Sequence, residues 1–215
     1  MINLSILPAS QRKIFPLLAH ASFIRPFYLA GGTAIALQLG HRQSVDFDFI
    51  AERSFLPSPL LNSMQLAFPK TVIEPLQIEK NTLTVSMSGV KMSFFGGYRY
   101  PLLQGVLREQ SLRIASLPDL LAMKLLAIQH RSEMKDYVDI FFLLTQGALG
   151  LYSGITTARK KFGKGFNPMI SLKALTYFED LSAAELQRIP FIHSPAPSWK
   201  NLQKTLREAV MAVKL

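Results

Sequence analysis

Cysteine is absent from the 215 residues, which excludes disulfides and thiolate metal sites. Histidine offers no substitute, because His20, His41, His130 and His193 lack the paired H-x-x-x-H spacing of a zinc site. Carboxylates are scarce: 14 Asp and Glu stand against 24 Lys and Arg, for a formal net charge of +10. On a chain with only 18% charged residues, that imbalance favours a polyanionic partner, nucleic acid or nucleotide ahead of a membrane. An uninterrupted apolar run is missing too. Arg25 is the only Lys, Arg, Asp or Glu within residues 14–41, yet Pro16, Pro26, His20 and the Gly31-Gly32 pair break that stretch, so neither a spanning helix nor an export signal is expected. The composition describes a soluble, cytoplasmic protein with no membrane partner.

Apolar residues make up 49% of the chain, enough for one substantial core. Residues 8–22 read as an opening helix carrying Ile14, Leu17, Leu18 and Ala21 at helical spacing. "FYLA" is a short buried strand, Gly31-Gly32 breaks it, and "TAIALQLG" is a short helix stopped by Gly40. "SVDFDFI" alternates strictly and is a second strand; after a helix in "FLPSPLLNSMQLAF", the stretches "TVIEPLQI", "TLTVSMS" and "VKMSFF" read as an antiparallel meander. From Pro118 the pattern turns helical and stays so, which divides the chain into an α/β part, residues 1–116, and a helical part, residues 117–215. The proline-containing segment 188–200 reads as a linker that lets a final helix, 198–212, fold back. Residues 151–215 carry ten basic against four acidic side chains, so that segment holds six of the ten surplus charges.

The first carboxylates of the chain are Asp46 and Asp48. At i and i+2 on a strand they emerge on one face, and two like charges that close repel unless a cation joins them, which points to Mg²⁺ or Mn²⁺. Upstream, Gly31-Gly32-Thr33 makes a strand-to-helix turn whose free N–H groups can approach a phosphate. Either element alone is more often a solvated edge or a plain turn; joined through one short helix, they form a unit for phosphate and metal. A second set lies in the helices: Lys124, Arg131, Lys135, Asp136 and Asp139, among Leu121, Leu125, Ile140 and Phe141. On one unbroken helix Lys124, Arg131 and Lys135 would form a stripe, either an internal salt-bridge set or a clamp for a triphosphate facing the acidic strand. "ARKKFGKGFN", residues 158–167, mixes four basic residues with two phenylalanines and suits either a flexible nucleic-acid contact or a solvated helix end.

GGT, twelve residues, then DFD, followed by K-L-L-A-x-x-x-R from Lys124 and K-D-Y-V-D-I from Lys135, resembles the AbiEii/AbiGii toxin family of nucleotidyltransferases. The likeness extends through "KFGKGFN" and "LKALTYFEDL" and so covers most of the chain. The resemblance implies an α+β fold, a polymerase-β-like core with a mixed sheet flanked by helices, followed by an all-helical C-terminal part. It implies that Gly32 and Thr33 line the triphosphate, that Lys124 contacts phosphate, that Asp46 and Asp48 bind Mg²⁺, and that Asp136 is the acid of a third motif; the residue pattern itself adds Gly31, Arg131 and Lys135 to the nucleotide contacts and Asp139 to the candidate acids. The resemblance also implies transfer of NMP from an NTP to an acceptor such as the 3′ end of tRNA, and an antitoxin as protein partner. One position departs from the pattern: Ser93 stands in "VKMSFF" where such cores offer a third carboxylate, leaving Asp136, Asp139, Glu74 or Glu79 as substitutes. The rivals are a nucleotide- or RNA-binding module without catalysis, an antitoxin-binding protein, and a phosphotransferase acting on a small molecule.

Overall fold

The computed structural model describes residues 2–98 and 100–214. Helix α1 (Ala9–His20) leads into strand β1 (Tyr28–Ala30), helix α2 (Gly31–Leu39) and strand β2 (Asp46–Ile50). Helix α3 (Pro57–Ala67) is followed by β3 (Ile73–Glu79), β4 (Thr82–Met87), β5 (Val90–Phe95), β6 (Leu107–Glu109) and β7 (Leu112–Ile114). The remaining elements are α4 (Leu117–Ala127), α5 (Met134–Thr145), α6 (Leu151–Phe162), α7 (Pro168–Ala174), α8 (Ala183–Gln187) and α9 (Trp199–Met211). Among the described residues the strands form one sheet in the order β3-β4-β5-β2-β1-β7-β6. It is mixed: β2 runs parallel to β5 and β1 to β7, while β1 pairs β2 antiparallel.

Period-two alternation gives this sheet two unlike faces. Phe47 and Phe49 on β2 and Phe94 on β5 point one way and are fully buried, with the Phe49 and Phe94 rings stacked at 4.9 Å. Each such burial is worth about 1.5–3 kcal/mol, enough to fix the register, since a one-residue slip of β2 would turn both of its rings to the other side. Phe15 of α1 packs on Phe47 and covers this apolar face. The other face carries Asp46 and Asp48, paired across to Lys91 and Ser93, which in turn pair to Ser86 and Thr84. Helix α4 covers part of that polar face, and its Leu120 and Met123 approach Ile50 and Phe95. One apolar cluster runs from Ile6 to Leu206 through both the sheet and the later helices.

Several local expectations need correction. Gly31 and Gly32 lie inside the first turn of α2 instead of before it. The hairpin β6–β7 was not expected from the sequence, because its three-residue strands carry charge at their centres (Arg108, Arg113) and leave almost no apolar pattern. The condition for a Lys124, Arg131 and Lys135 stripe, one unbroken helix, is not met: α4 ends at Ala127, and α5 starts at Met134. Residues 188–200 are partly a strap, with Phe191 bridged to Arg42 and the Pro190 carbonyl accepting from Gln43 N at 2.9 Å. Lys161, Phe162 and Phe166 are buried, so "ARKKFGKGFN" contributes core at those positions and not a base-stacking loop. Lys161 donates to Asp119 at 2.8 Å and ties α6 to α4. Among the described residues no helix is long and apolar enough to cross a membrane.

Candidate active site

The register of β1 with β2 sets Asp48 opposite Ala30, so its carboxylate stands beside the first residue of α2. That residue is Gly31, with φ +65°, and a Cβ added there would overlap Asp48 Oδ2. Glycine is required twice at this point, for the left-handed backbone and for the close approach of the carboxylate. Gly32 serves a second approach, since a Cβ there would overlap the Arg42 guanidinium. Thr33 is buried, and its hydroxyl donates to the Asp46 carbonyl, stitching α2 to β2.

Asp46 and Asp48 are both partly exposed. Among the described residues no basic side chain forms an ion pair with either of them. Burial pushes the Asp48 carboxyl above its ordinary range, and the neighbouring charge of Asp46 adds to the rise; Lys124, Lys135 and Lys91 pull more weakly the other way. A same-face acid pair short of counter-charge fits a divalent cation that completes its shell with water and phosphate oxygens. No group of three or more His, Cys, Asp or Glu suited to a metal occurs among the described residues, so any cation here relies on two protein carboxylates. Ser93 sits directly opposite Asp48 on β5, the place where a third acid would stand, and receives a 3.4 Å hydrogen bond from Thr84. Glu74 and Glu79 lie on β3, three strands from β2 and therefore roughly 14 Å away, too far to substitute.

Facing the acid pair is a basic wall from α4 and the turn after it. Lys124 Nζ lies 2.6 Å from Asp136 Oδ1 and 2.7 Å from Asp139 Oδ2. Arg131 Nε donates to Asp136 Oδ2 at 2.8 Å, and Lys135 pairs with Glu133 at 2.8 Å. The break between the helices is what lets Lys124 and Arg131 converge on one carboxylate. Asp139, fully buried, receives Arg42 in bidentate fashion at 2.7 and 2.9 Å and His41 Nε2 at 2.8 Å. Burial alone would raise the Asp139 carboxyl, but Lys124 and Arg42, with the hydrogen bonds from His41 and Arg42, hold it well below the usual carboxylate range. Burial lowers His41, which therefore stays neutral and donates through Nε2 to Asp139. Burial also works against the Lys124 ammonium, yet Asp139 and Asp136 outweigh it and hold its pKa high.

A cleft of about 280 Å³ separates the two walls, with Gly31, Asp48, Lys124 and Arg131 on its polar side and Ile50, Phe95, Leu120 and Met123 on its apolar side. Four of the residues singled out in the sequence thus share one cavity. Asp136 lies behind it, holding Lys124 and Arg131, and Asp139 lies behind Lys124. The family model described as "Nucleotidyl transferase AbiEii toxin, Type IV TA system" matches residues 15–100 and 98–213. The chain belongs to the AbiEii nucleotidyl transferase toxin family.

An uncharacterized protein of Aquifex aeolicus is 31% identical to this AbiEii chain over 209 residues, covering 95% of the chain and 96% of that protein. The fold is similar to that of the nucleotidyltransferase toxin MenT4 of Mycobacterium tuberculosis, with a TM-score of 0.58 at 14% identity over 96% of this chain and 87% of that one. It is also similar to JHP933 of Helicobacter pylori, with a TM-score of 0.52 at 16% identity over 95% and 92% of the two chains. His41 and Arg42 are the residues of this AbiEii site that sequence reasoning overlooked. The signal available was thin: a basic pair directly after Gly40, with no carboxylate earlier in the chain to receive it.

Proposed function

We propose that the protein transfers NMP from an NTP to an RNA acceptor, using a divalent cation held by Asp46 and Asp48, and acts in this way as the toxin of a toxin–antitoxin pair. The observation that carries this reading is the cleft itself: Asp48, one of a same-face acid pair with no described counter-charge, on one wall, and Lys124 and Arg131 on the other. The N–H groups of the Gly31-Gly32 turn and the exposed side chains of Arg131 and Lys135 receive the phosphates, while Ile50, Phe95, Leu120 and Met123 accept the nucleoside. Lys124, already engaged by Asp136 and Asp139, adds a fixed positive charge to that wall and needs no reorganisation during reaction. When bound, Mg²⁺ supplies charge neutralisation on the phosphates and a lower pKa for the acceptor hydroxyl. The acceptor hydroxyl displaces pyrophosphate in line at the α-phosphorus, a reaction in which positioning and charge carry most of the acceleration.

Incubation with each α-labelled NTP, Mg²⁺ and total tRNA tests the reading. Label should enter RNA with the wild-type protein and fall on the order of 10²–10³-fold or more with Asp48→Ala, the scale of removing one preorganised electrostatic interaction. Equal labelling by both proteins would remove the acid pair from the mechanism. Ser93, opposite Asp48, favours a second reading in which the site binds Mg²⁺ and NTP but transfers little. That version gives nucleotide binding without label in any acceptor.

A further inference from the structure

Strand β2 leaves the cleft at Ile50, and two residues on, Glu52 and Arg53 line another depression, of about 410 Å³, closed by Arg25, Pro26 and Arg113. Around the cleft Arg42, Lys124, Arg131 and Lys135 pair with carboxylates, and Lys161 does so in the core. Here no described carboxylate, Glu52 included, forms an ion pair with Arg25, Arg53 or Arg113. Arg113 is nonetheless fixed in place, donating through Nη2 to the Pro26 carbonyl at 2.8 Å and through Nε to the Phe27 carbonyl at 3.3 Å. Directly across from it on β6 stands Arg108. Like charges opposed on neighbouring strands cost stability unless an anion lies over them.

A third depression, of about 450 Å³, shares Pro26 and Arg53 with the arginine site, and its walls include Phe23, Phe55 and Leu56. Leu56 is 73% exposed, unusual for a leucine with no part in the core. A lone phosphate needs one or two guanidinium groups and no apolar neighbour. Four arginines spread over β6, β7 and two loops, bordered by an aromatic trough, match a chain of phosphates carrying bases.

We propose that this surface docks the RNA acceptor, with its phosphodiester backbone on Arg25, Arg53, Arg108 and Arg113 and a base in the Phe23 and Phe55 trough. The inference rests on RNA as the acceptor in the reading above. Two strand steps and two residues separate the Cα atoms of Asp48 and Arg113, roughly 12 Å. At roughly 3.4 Å per stacked nucleotide, an RNA whose 3′ hydroxyl lies at Asp48 reaches Arg113 about three or four nucleotides from its end.

The test is fluorescence anisotropy of 5′-labelled total tRNA titrated with the full chain, without NTP, over a series of salt concentrations. The double variant Arg25→Ala, Arg53→Ala alters two exposed side chains; it should bind tRNA at least about tenfold more weakly at low salt, with the slope of log K against log salt reduced by roughly 0.7 for each phosphate left without its arginine. Glu52→Gln, which removes the one carboxylate lining the depression, should bind more tightly, an effect that a merely structural role would not produce. Affinity for each of the four NTPs with Mg²⁺ should be unchanged in both variants. Wild-type tRNA affinity and salt slope in the double variant would overturn the proposal, as would a loss confined to NTP. Asp48→Ala separates the two claims: it should bind tRNA like wild type even as labelled NMP transfer disappears, and arginine-dependent tRNA binding without transfer by the wild type would leave docking standing while the transferase reading fails.

Discussion

Asp48 lines the cleft and Asp139 lies behind Lys124, and replacing each by asparagine should shift stability in opposite directions. Asp139 is fully buried and satisfies Arg42 through two bonds, Lys124 through one and His41 through one. Asparagine keeps the shape but loses the charge, and its amide places donor hydrogens against the donors of Arg42 or Lys124. Lys124 retains Asp136, whereas Arg42 has no second carboxylate among the described residues, so a buried guanidinium is left uncompensated. Breaking a buried pair costs about 3–5 kcal/mol. At about 2–4 °C per kcal/mol for a chain of this size, Tm should fall by roughly 6–20 °C. Asp48→Asn removes a carboxylate whose ionised form is penalised by burial and by Asp46, so without divalent cation its Tm should equal or exceed that of the wild type. Thermal unfolding followed by circular dichroism in a chelating buffer measures both. A change within about 2 °C for Asp139→Asn, or a larger loss for Asp48→Asn than for Asp139→Asn, would refute the assignment of Asp139 to architecture and Asp48 to chemistry.

Gly31→Ala should cost about 1–2 kcal/mol from the positive φ and should abolish label transfer by displacing Asp48; an active variant with normal Mg²⁺ dependence would disprove the tight approach. Ser93→Asp places a third carboxylate opposite Asp48, and in calorimetry it should bind Mg²⁺ more tightly while lowering Tm in chelating buffer. The two aspartates also predict opposite pH limbs. Asp139, depressed in the fold, stabilises above the usual carboxylate pKa and loses that contribution as pH falls through its lower folded value, so Asp139→Asn should flatten the acid limb of a urea-unfolding series. Asp48, raised in the fold, costs stability as pH rises through its folded value. Mg²⁺ at ten times its dissociation constant should restore about 1.4 kcal/mol above that pH and add nothing to Asp48→Asn.

The strictly alternating "SVDFDFI" made β2 and its acid face legible in the sequence, because burial of Phe47 and Phe49 admits only one register. Gly31 was legible as a turn, though not as the seat of the Asp48 carboxylate, since that approach depends on how β1 and β2 pair. The meander β3-β4-β5 and the move to helices after Leu117 followed from periodicity. What escaped depends on long-range partners or on elements too short to show a period. Arg42 and Asp139 are 97 residues apart, and nothing local links them. The turn between α4 and α5 contains no proline or glycine, so nothing local announces the bend that brings Arg131 onto Asp136. The basic residues of 158–167 were visible as charge, but that Lys161 turns inward to Asp119 is a packing outcome that composition cannot carry.

A crystal structure with Mg²⁺ and an NTP analogue carrying a non-cleavable bond between the α- and β-phosphorus atoms tests the central claim most directly. The cation should lie on Asp46 and Asp48, with the triphosphate between the Gly31-Gly32 turn and Arg131 and the nucleoside against Ile50 and Phe95. Nucleotide bound elsewhere, or bound in this cleft with neither aspartate on the metal, would contradict the account.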